Sequence, residues 1–377
     1  MSGASSDSSR VTSPALSRTE LMFQVAMVNM GGGIARGQGK GKPMNQLVDG
    51  KWVYGSVGAA EGEGAYRRQD AGFRNWITPD GRPGPTGEGG FAAEAGRYHL
   101  YVSYACPWAH RTLIFRALKG LEGLIGLSVV HPLMGRDGWS FATDFPGATG
   151  DPLLGAAHVR DIYLRARPDM TGKATVPILW DKARGTIVSN ESSEIIRMFD
   201  SAFDGLTGST LTFCPEALSD RVAEVNARVY DNFNNGVYKA GFASTQEAYD
   251  AAVGPVFETM AWADDVLSRQ RYLAGDRLTE ADWRMFTSAV RFDNVYHTHF
   301  RCNRAWLRDY PNLWGWTREL YQIPGVAGTV RHDHIVNHYY RSHPDLNKYG
   351  IIPINPVIDW DAPHGRDAIG GGADDAV

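Results

Sequence analysis

Cysteine is scarce in this chain. Its 377 residues hold three, Cys106, Cys214 and Cys302, far apart and in no CxxC pair. That argues against a disulfide framework or a structural zinc and suits a reducing compartment. Long apolar runs are also missing: none approaches the roughly 18 residues that a membrane-spanning helix needs. Neither sign of charge is in excess, since 38 Lys and Arg face 42 Asp and Glu, a formal net charge of −4. Such mild acidity gives no reason to expect nucleic acid or an anionic membrane as partner. What is present is a 43% hydrophobic composition, in a chain long enough for two domains and a sizeable core. The 11 tryptophans and 16 tyrosines suit an aromatic ligand.

Residues 1–45 read as an extension. A serine-rich start and the Gly/basic stretch GGGIARGQGKGKP enclose LMFQVAMVNM, too short and too poorly flanked for a good signal peptide. Few acids and several arginines leave an organellar transit peptide open beside a disordered tail. The glycines do not complete a phosphate-binding loop: Gly41, not Ser or Thr, follows Gly39-Lys40, and Ile34 stands where the first glycine is needed.

From Arg97, RYHLYVSYA alternates apolar and polar residues and predicts a strand. CPWAHRTLIFRALKG predicts a helix with Pro107 in its first turn and Gly120 as its stop. LSVVHPL (127–133) reads as a second strand, 134–170 as a loop-rich insertion, 174–181 with 185–189 as a hairpin, and NESSEIIRMFD as a polar-capped helix. This β-α-β, hairpin, helix order is that of a thioredoxin-like domain. Beyond about residue 214 the periodicity is helical, with Thr279 and Asp282 resembling a capping box. The expectation is therefore an α/β thioredoxin-like domain over 46–213 followed by an all-helical domain over 214–377.

Cys106 stands at the start of the first helix, where unpaired backbone N–H groups and the helix dipole stabilise a thiolate. His110 and Arg111, one turn on, are candidates to add positive potential. The competing reading is a buried, inert cysteine. A dithiol version of this site would have a cysteine where Ala109 stands, so an external thiol must complete any cycle, and glutathione is the natural one. Val176-Pro177 falls where thioredoxin-like domains keep a cis-proline, although a trans turn proline is the commoner case. Glu191 and Ser192 open the next helix, either as a simple cap or as contacts for the γ-glutamyl end of glutathione.

At the level of motifs the chain resembles the Xi-class glutathione transferases, the glutathionyl-hydroquinone reductases. The residues carrying the resemblance are QLVDGKW (46–52), YACPWAHR (104–111), GRDGWSF (135–141), KATVPILWD (173–181), SNESSEI (189–195), NNGVYKAG (234–241), RLTEADWRMF (277–286), RFDNVYHTHF (291–300), NLWGW (312–316) and HYYRSH (338–343). The CPWAHR box is shared with omega-class relatives; GRDGWSF and RFDNVYHTHF narrow the match. LNKYGIIPINP (346–356) departs from the family's usual tail. The resemblance implies Cys106 as nucleophile, with Arg136, Trp139, Val176, Pro177, Glu191 and Ser192 binding glutathione. It implies Tyr238, Tyr296 and Tyr339 in the aromatic-substrate pocket, with Tyr238 and Tyr296 also assisting catalysis. It further implies glutathione and a glutathionyl-hydroquinone as partners, a homodimer, a cytoplasmic location and a role in aromatic degradation.

Two other readings predict different behaviour. An omega-like thioltransferase or dehydroascorbate reductase would use Cys106 without needing the tyrosines. A non-catalytic aromatic-ligand-binding protein would not need Cys106. A metal is not expected: His297 with His299, and His334 with His338, are spaced as ligands, but the second pair lacks the glutamate of HExxH.

Overall fold

The computed structural model describes residues 44–56, 64–66 and 68–370; the extension expected over 1–45 lies outside them except for its last two residues. Those two begin a hairpin, β1 (Met44–Val48) and β2 (Lys51–Ser56). Its two-residue turn is Asp49-Gly50, both at positive φ (46° and 73°). Asp-Gly is the pairing that such hairpin turns favour. At Gly50 a side chain is also excluded by space, because a Cβ there would lie 2.1 Å from the Pro168 carbonyl oxygen.

Two three-residue strands follow, β3 (Trp76–Thr78) and β4 (Gly90–Ala92), paired parallel. The central sheet is mixed. β5 (Tyr98–Val102) lies parallel to β6 (Ile125–Val129) and antiparallel to β9 (Ile178–Asp181), which pairs antiparallel with β10 (Thr186–Ser189). All five residues of β5 are buried, as expected of a strand covered on both faces. Arg97, just before β5, donates twice to fully buried Asp181 at the end of β9, at 2.8 and 2.6 Å, fixing the register Tyr98 opposite Asp181.

Helix α1 (Pro107–Leu118) follows β5, with Pro107 in its first turn, where a missing N–H costs nothing. Gly120 ends it at φ 64°. The strand expected over 127–133 is displaced to 125–129. Pairing with β5 sets its limits, and His131 bonds Ser140 instead. The insertion expected as loop contains a two-residue ribbon, β7 (Met134–Gly135) with β8 (Gly138–Trp139), and helix α2 (Val159–Ala166). α2 is opened by a capping box in which the Asp161 carboxylate accepts from the His158 N–H at 2.8 Å. Helix α3 (Ser192–Ser201) packs against α1.

The helical part comprises α4 (Ser219–Val229), α5 (Gly236–Gly241), α6 (Gln246–Leu267), α7 (Glu280–Arg291), α8 (Pro311–Gln322) and α9 (His332–Arg341). The Thr279–Asp282 capping box opens α7. Single π turns, Tyr230–Asn234 and Phe292–Tyr296, interrupt the helical runs ahead of Tyr238 and at Tyr296; such turns recur at functional sites. The tail returns to the body through buried Trp360 and Arg366. Arg366 Nε meets the Glu319 carboxylate at 3.0 Å, and Arg271 holds its other oxygen at 2.6 Å.

Candidate active site

Cys106 is the N-cap of α1, extended at φ −77° and ψ 120°, and half-buried. β5 delivers the chain to this point and the helix begins at the next residue. The Cys106 Sγ–H points to the Val176 carbonyl oxygen at 3.6 Å, and the Val176–Pro177 peptide bond is cis. The nucleophile candidate thus faces the backbone segment expected to receive a peptide ligand.

Three tyrosines converge from separate elements: Tyr238 from α5, Tyr296 from the second π turn and Tyr339 from α9. Their hydroxyls are linked, Tyr238 to Tyr339 at 2.5 Å and Tyr296 to Tyr339 at 3.0 Å. Cys106 in its anionic form lies within electrostatic reach of Tyr238 and Tyr296. Burial pushes the Tyr296 hydroxyl up to about 12. Burial, together with the charge that neighbouring Tyr296 would carry on ionising, also holds Tyr238 and Tyr339 well above the usual tyrosine range. All three are therefore neutral donors near pH 7.

Glu191 caps α3, its Oε1 accepting from the Ser193 N–H at 2.9 Å, and Ser192 is buried in the first turn behind it. The capping role weighed for this pair is thus present. Trp139 is buried and stacks on His338, the residue before Tyr339 in α9, ring centres 4.5 Å apart. Arg136 lies in the exposed turn between β7 and β8. Its carbonyl accepts from Asn45 Nδ2 at 2.8 Å and Trp52 Nε1 at 3.1 Å, and its guanidinium lies over the Tyr54 ring. Among the described residues no contact joins Arg136 to Cys106 or the tyrosines.

His110 and Arg111 do not play the part considered for them. His110 is fully buried, and desolvation, then the charge of Arg291, push it far below the usual histidine range; it is neutral. Arg111 is buried and turns its guanidinium to Asn234 Oδ1 at 2.8 Å. The histidines weighed as metal ligands have other partners. His297 stacks on Trp306, His299 bonds His343 at 3.0 Å, and His334 and His338 bond the carbonyls of Pro146 and Pro132. Among the described residues no group of three or more His, Cys, Asp or Glu could hold a metal ion.

Two contributors carried no signal that sequence reasoning used. Tyr66 stacks on Tyr238 at 6.3 Å, from a segment without periodicity. Arg291, inside the RFDNVYHTHF motif, is a fully buried cation ending a helix whose other residues are nearly all buried; a charge on such a face was the available signal.

A thioredoxin-like sheet with a cysteine capping its first helix, backed by a helical layer, defines the glutathione-transferase class of fold. Comparison with known proteins agrees. The glutathione S-transferase N-terminal domain family matches residues 105–202 and its C-terminal domain family residues 246–319. The glutathionyl-hydroquinone reductase YqjG of Escherichia coli is 56% identical over 324 residues, covering 86% of this chain and 99% of that protein. PcpF of Sphingobium chlorophenolicum, also a glutathionyl-hydroquinone reductase, is 44% identical over 83% of this chain and 97% of its own. The glutathione-bound structure of YqjG superposes with a TM-score of 0.80 at 55% identity, covering 86% of this chain and 99% of that one. A Xi-class glutathione transferase from Natrialba magadii gives 0.80 at 50% identity, over 88% and 98%. The chain belongs to the Xi-class glutathione transferases, the family of the glutathionyl-hydroquinone reductases.

Proposed function

We propose that this protein reduces glutathionyl-hydroquinones to hydroquinones at the expense of glutathione, by a ping-pong mechanism through Cys106. The observation that carries the reading is the placement of one half-buried thiol within electrostatic reach of a cluster of neutral tyrosine hydroxyls. The names of the relatives support the substrate class.

An aryl C–S bond resists thiolate attack, so the ring first tautomerises to a keto form in which the sulfur-bearing carbon is sp³ and adjacent to a carbonyl. The Cys106 thiolate attacks the glutathionyl sulfur. The S–C bond breaks and its electron pair passes to the ring as an enolate, which takes up a proton to give the hydroquinone. Tyr238 and Tyr296 donate to the developing oxyanion and assist the tautomerisation, with Tyr339 bridging them. A second glutathione thiolate then attacks the glutathionyl sulfur of the Cys106 mixed disulfide, releasing oxidised glutathione and the Cys106 thiolate. Each turnover consumes two glutathionyl groups, one from the conjugate and one free, and no metal takes part. Val176, with Pro177, and Glu191 with Ser192 would hold the tripeptide, with Trp139 and Arg136 as further contacts to it. A division into domains at 213/214, a cytoplasmic homodimer and a role in aromatic degradation complete the proposal. Size-exclusion chromatography with light scattering tests the dimer.

Activity on a purified glutathionyl-hydroquinone with excess glutathione tests the reaction. Turnover confined to simple glutathione mixed disulfides would move the protein to the omega-like thioltransferases. Tight aromatic binding without any turnover would make it a carrier.

A further inference from the structure

Arg291 ends α7 with a fully buried side chain, and each nitrogen of its guanidinium has a protein partner. Nε donates to the Ala105 carbonyl at 3.0 Å and Nη2 to the Tyr104 carbonyl at 2.9 Å. Nη1 donates to the Thr287 carbonyl at 2.6 Å and meets His110 Nδ1 at 2.9 Å. His110 is neutral, so its Nδ1 is the acceptor and its Nε2–H donates to Thr329 Oγ1 at 2.8 Å. The Thr329 hydroxyl in turn donates to the Val326 carbonyl at 2.6 Å. The helical part of the protein thereby grips the two residues immediately before Cys106.

The charge on this group has no ion-pair partner among the described residues. A guanidinium stays cationic inside proteins, and a buried cation without a counter-anion is costly. Among the described residues no carboxylate lies within ion-pair distance of Arg291. The titratable groups facing it are His110 from α1, Tyr296 from the π turn after α7, and His332, His338 and Tyr339 from α9. Near pH 7 the three histidines and both tyrosines are neutral, because burial pushes the histidines down and the tyrosines up. Arg291 itself favours the ionised forms of Tyr296 and Tyr339. A positive charge is therefore stored beside the nucleophile turn and the tyrosine cluster, with no carboxylate among the described residues to match it.

We propose that Arg291 is the positioning residue of this site: it fixes the Tyr104-Ala105 turn that presents Cys106, and its charge is balanced by the Cys106 thiolate and then by the oxyanion forming at Tyr296. The inference rests on the proposed reaction for its second half. Its first half, the thiolate, is testable without any quinone.

The test compares wild type with Arg291→Met and Arg291→Lys, each checked by circular dichroism and thermal melting. Cys106 alkylation by iodoacetamide is followed against pH by mass mapping of its peptide, and turnover of a glutathionyl-hydroquinone is measured alongside. In Arg291→Met the alkylation midpoint moves to higher pH and the rate at neutral pH falls about tenfold, the equivalent of one pH unit. Arg291→Lys keeps the midpoint within about half a unit while kcat falls, because one ammonium cannot bridge both carbonyls. An unchanged midpoint in folded Arg291→Met, or equal shifts in both variants, overturns the inference. If the methionine variant does not fold, Arg291→Lys decides alone: a midpoint displaced by a full unit overturns it. Failure of the wild type to turn over the conjugate would sink the proposed reaction and leave the alkylation result standing.

Discussion

Removing the Tyr339 hydroxyl separates the two thiol chemistries open to this fold. Tyr339 is 1% exposed and its hydroxyl is the hub of the cluster, bonded to Tyr238 at 2.5 Å and to Tyr296 at 3.0 Å. Tyr339→Phe deletes both bonds without opening a cavity larger than one oxygen. Two hydrogen bonds at about 1 kcal/mol each set the upper limit of the stability loss. Partly exposed Tyr238 regains water, so about 1 kcal/mol is expected, a melting-point drop of about 2–4 °C. The effect on rate is larger. Without its bridge the pair at Tyr238 and Tyr296 loses its fixed orientation toward the oxyanion. Losing one such donor typically lowers kcat about 100-fold, equivalent to about 2.7 kcal/mol of transition-state stabilisation. The assay follows hydroquinone release from a glutathionyl-hydroquinone, with reduction of a small glutathione mixed disulfide in parallel. The latter needs Cys106 but no oxyanion donors and should change less than about threefold. Equal losses on both substrates, or none on the conjugate, would refute the assignment of the tyrosines to hydroquinone chemistry.

Other outcomes follow from groups away from the reacting atoms. Burial pushes His99, His299, His332 and His338 each down to about 4. Unfolding in mild acid therefore takes up protons, and their stabilising contribution, complete above pH 6.5, is lost as pH falls toward 4. Each adds a slope of up to about 1.4 kcal/mol per pH unit, so urea midpoints at pH 5 should lie clearly below those at pH 7; pH-independent midpoints would contradict this. At the alkaline end the buried tyrosines act in the opposite sense. Tyr296 lies near 12 against an ordinary 10, so stability holds below pH 10 and falls as pH rises toward 12, with ultraviolet difference titration showing late ionisation of the cluster. Arg366→Ala leaves the Glu319–Arg271 pair without its third member and frees the tail from the body. Breaking such a buried network costs about 3–5 kcal/mol, readable as a lower melting temperature and faster proteolysis after residue 342.

The sequence made the main frame legible wherever the pattern was local. β5, α1, α3 and the α7 capping box lie where periodicity and caps place them, as does the β9–β10 hairpin except that β9 starts at Ile178, four residues into the expected strand and just after the cis Val176–Pro177 bond. β6 starts two residues and ends four residues earlier than expected because its limits come from pairing with β5, a partner more than 20 residues away. Helix α2 carried its own signal, apolar Val159, Ile162 and Tyr163 above an Asp161 box, but a surrounding excess of Gly, Pro and Asp masked it. The β1–β2 hairpin was announced by Asp49-Gly50 and went unread. Cys106 and Val176 were found from local context, and the structure joins them. The meeting of Tyr238, Tyr296 and Tyr339 spans 101 residues; periodicity cannot show such a contact, and only the family resemblance pointed to it. Arg291 escaped for the same reason, since its partners Tyr104 and Ala105 lie 187 and 186 residues away.

The central claim is reductive removal of glutathione from a hydroquinone through a Cys106 mixed disulfide. Its most direct test is one experiment on wild type and Cys106→Ser, supplied with a glutathionyl-hydroquinone and excess glutathione, with hydroquinone and oxidised glutathione quantified together. The account predicts the two products in equal amounts from wild type, neither from the serine variant, and a glutathione adduct on the Cys106 peptide when free glutathione is withheld. Product formation by Cys106→Ser at the wild-type rate, or hydroquinone without matching oxidised glutathione, would contradict it.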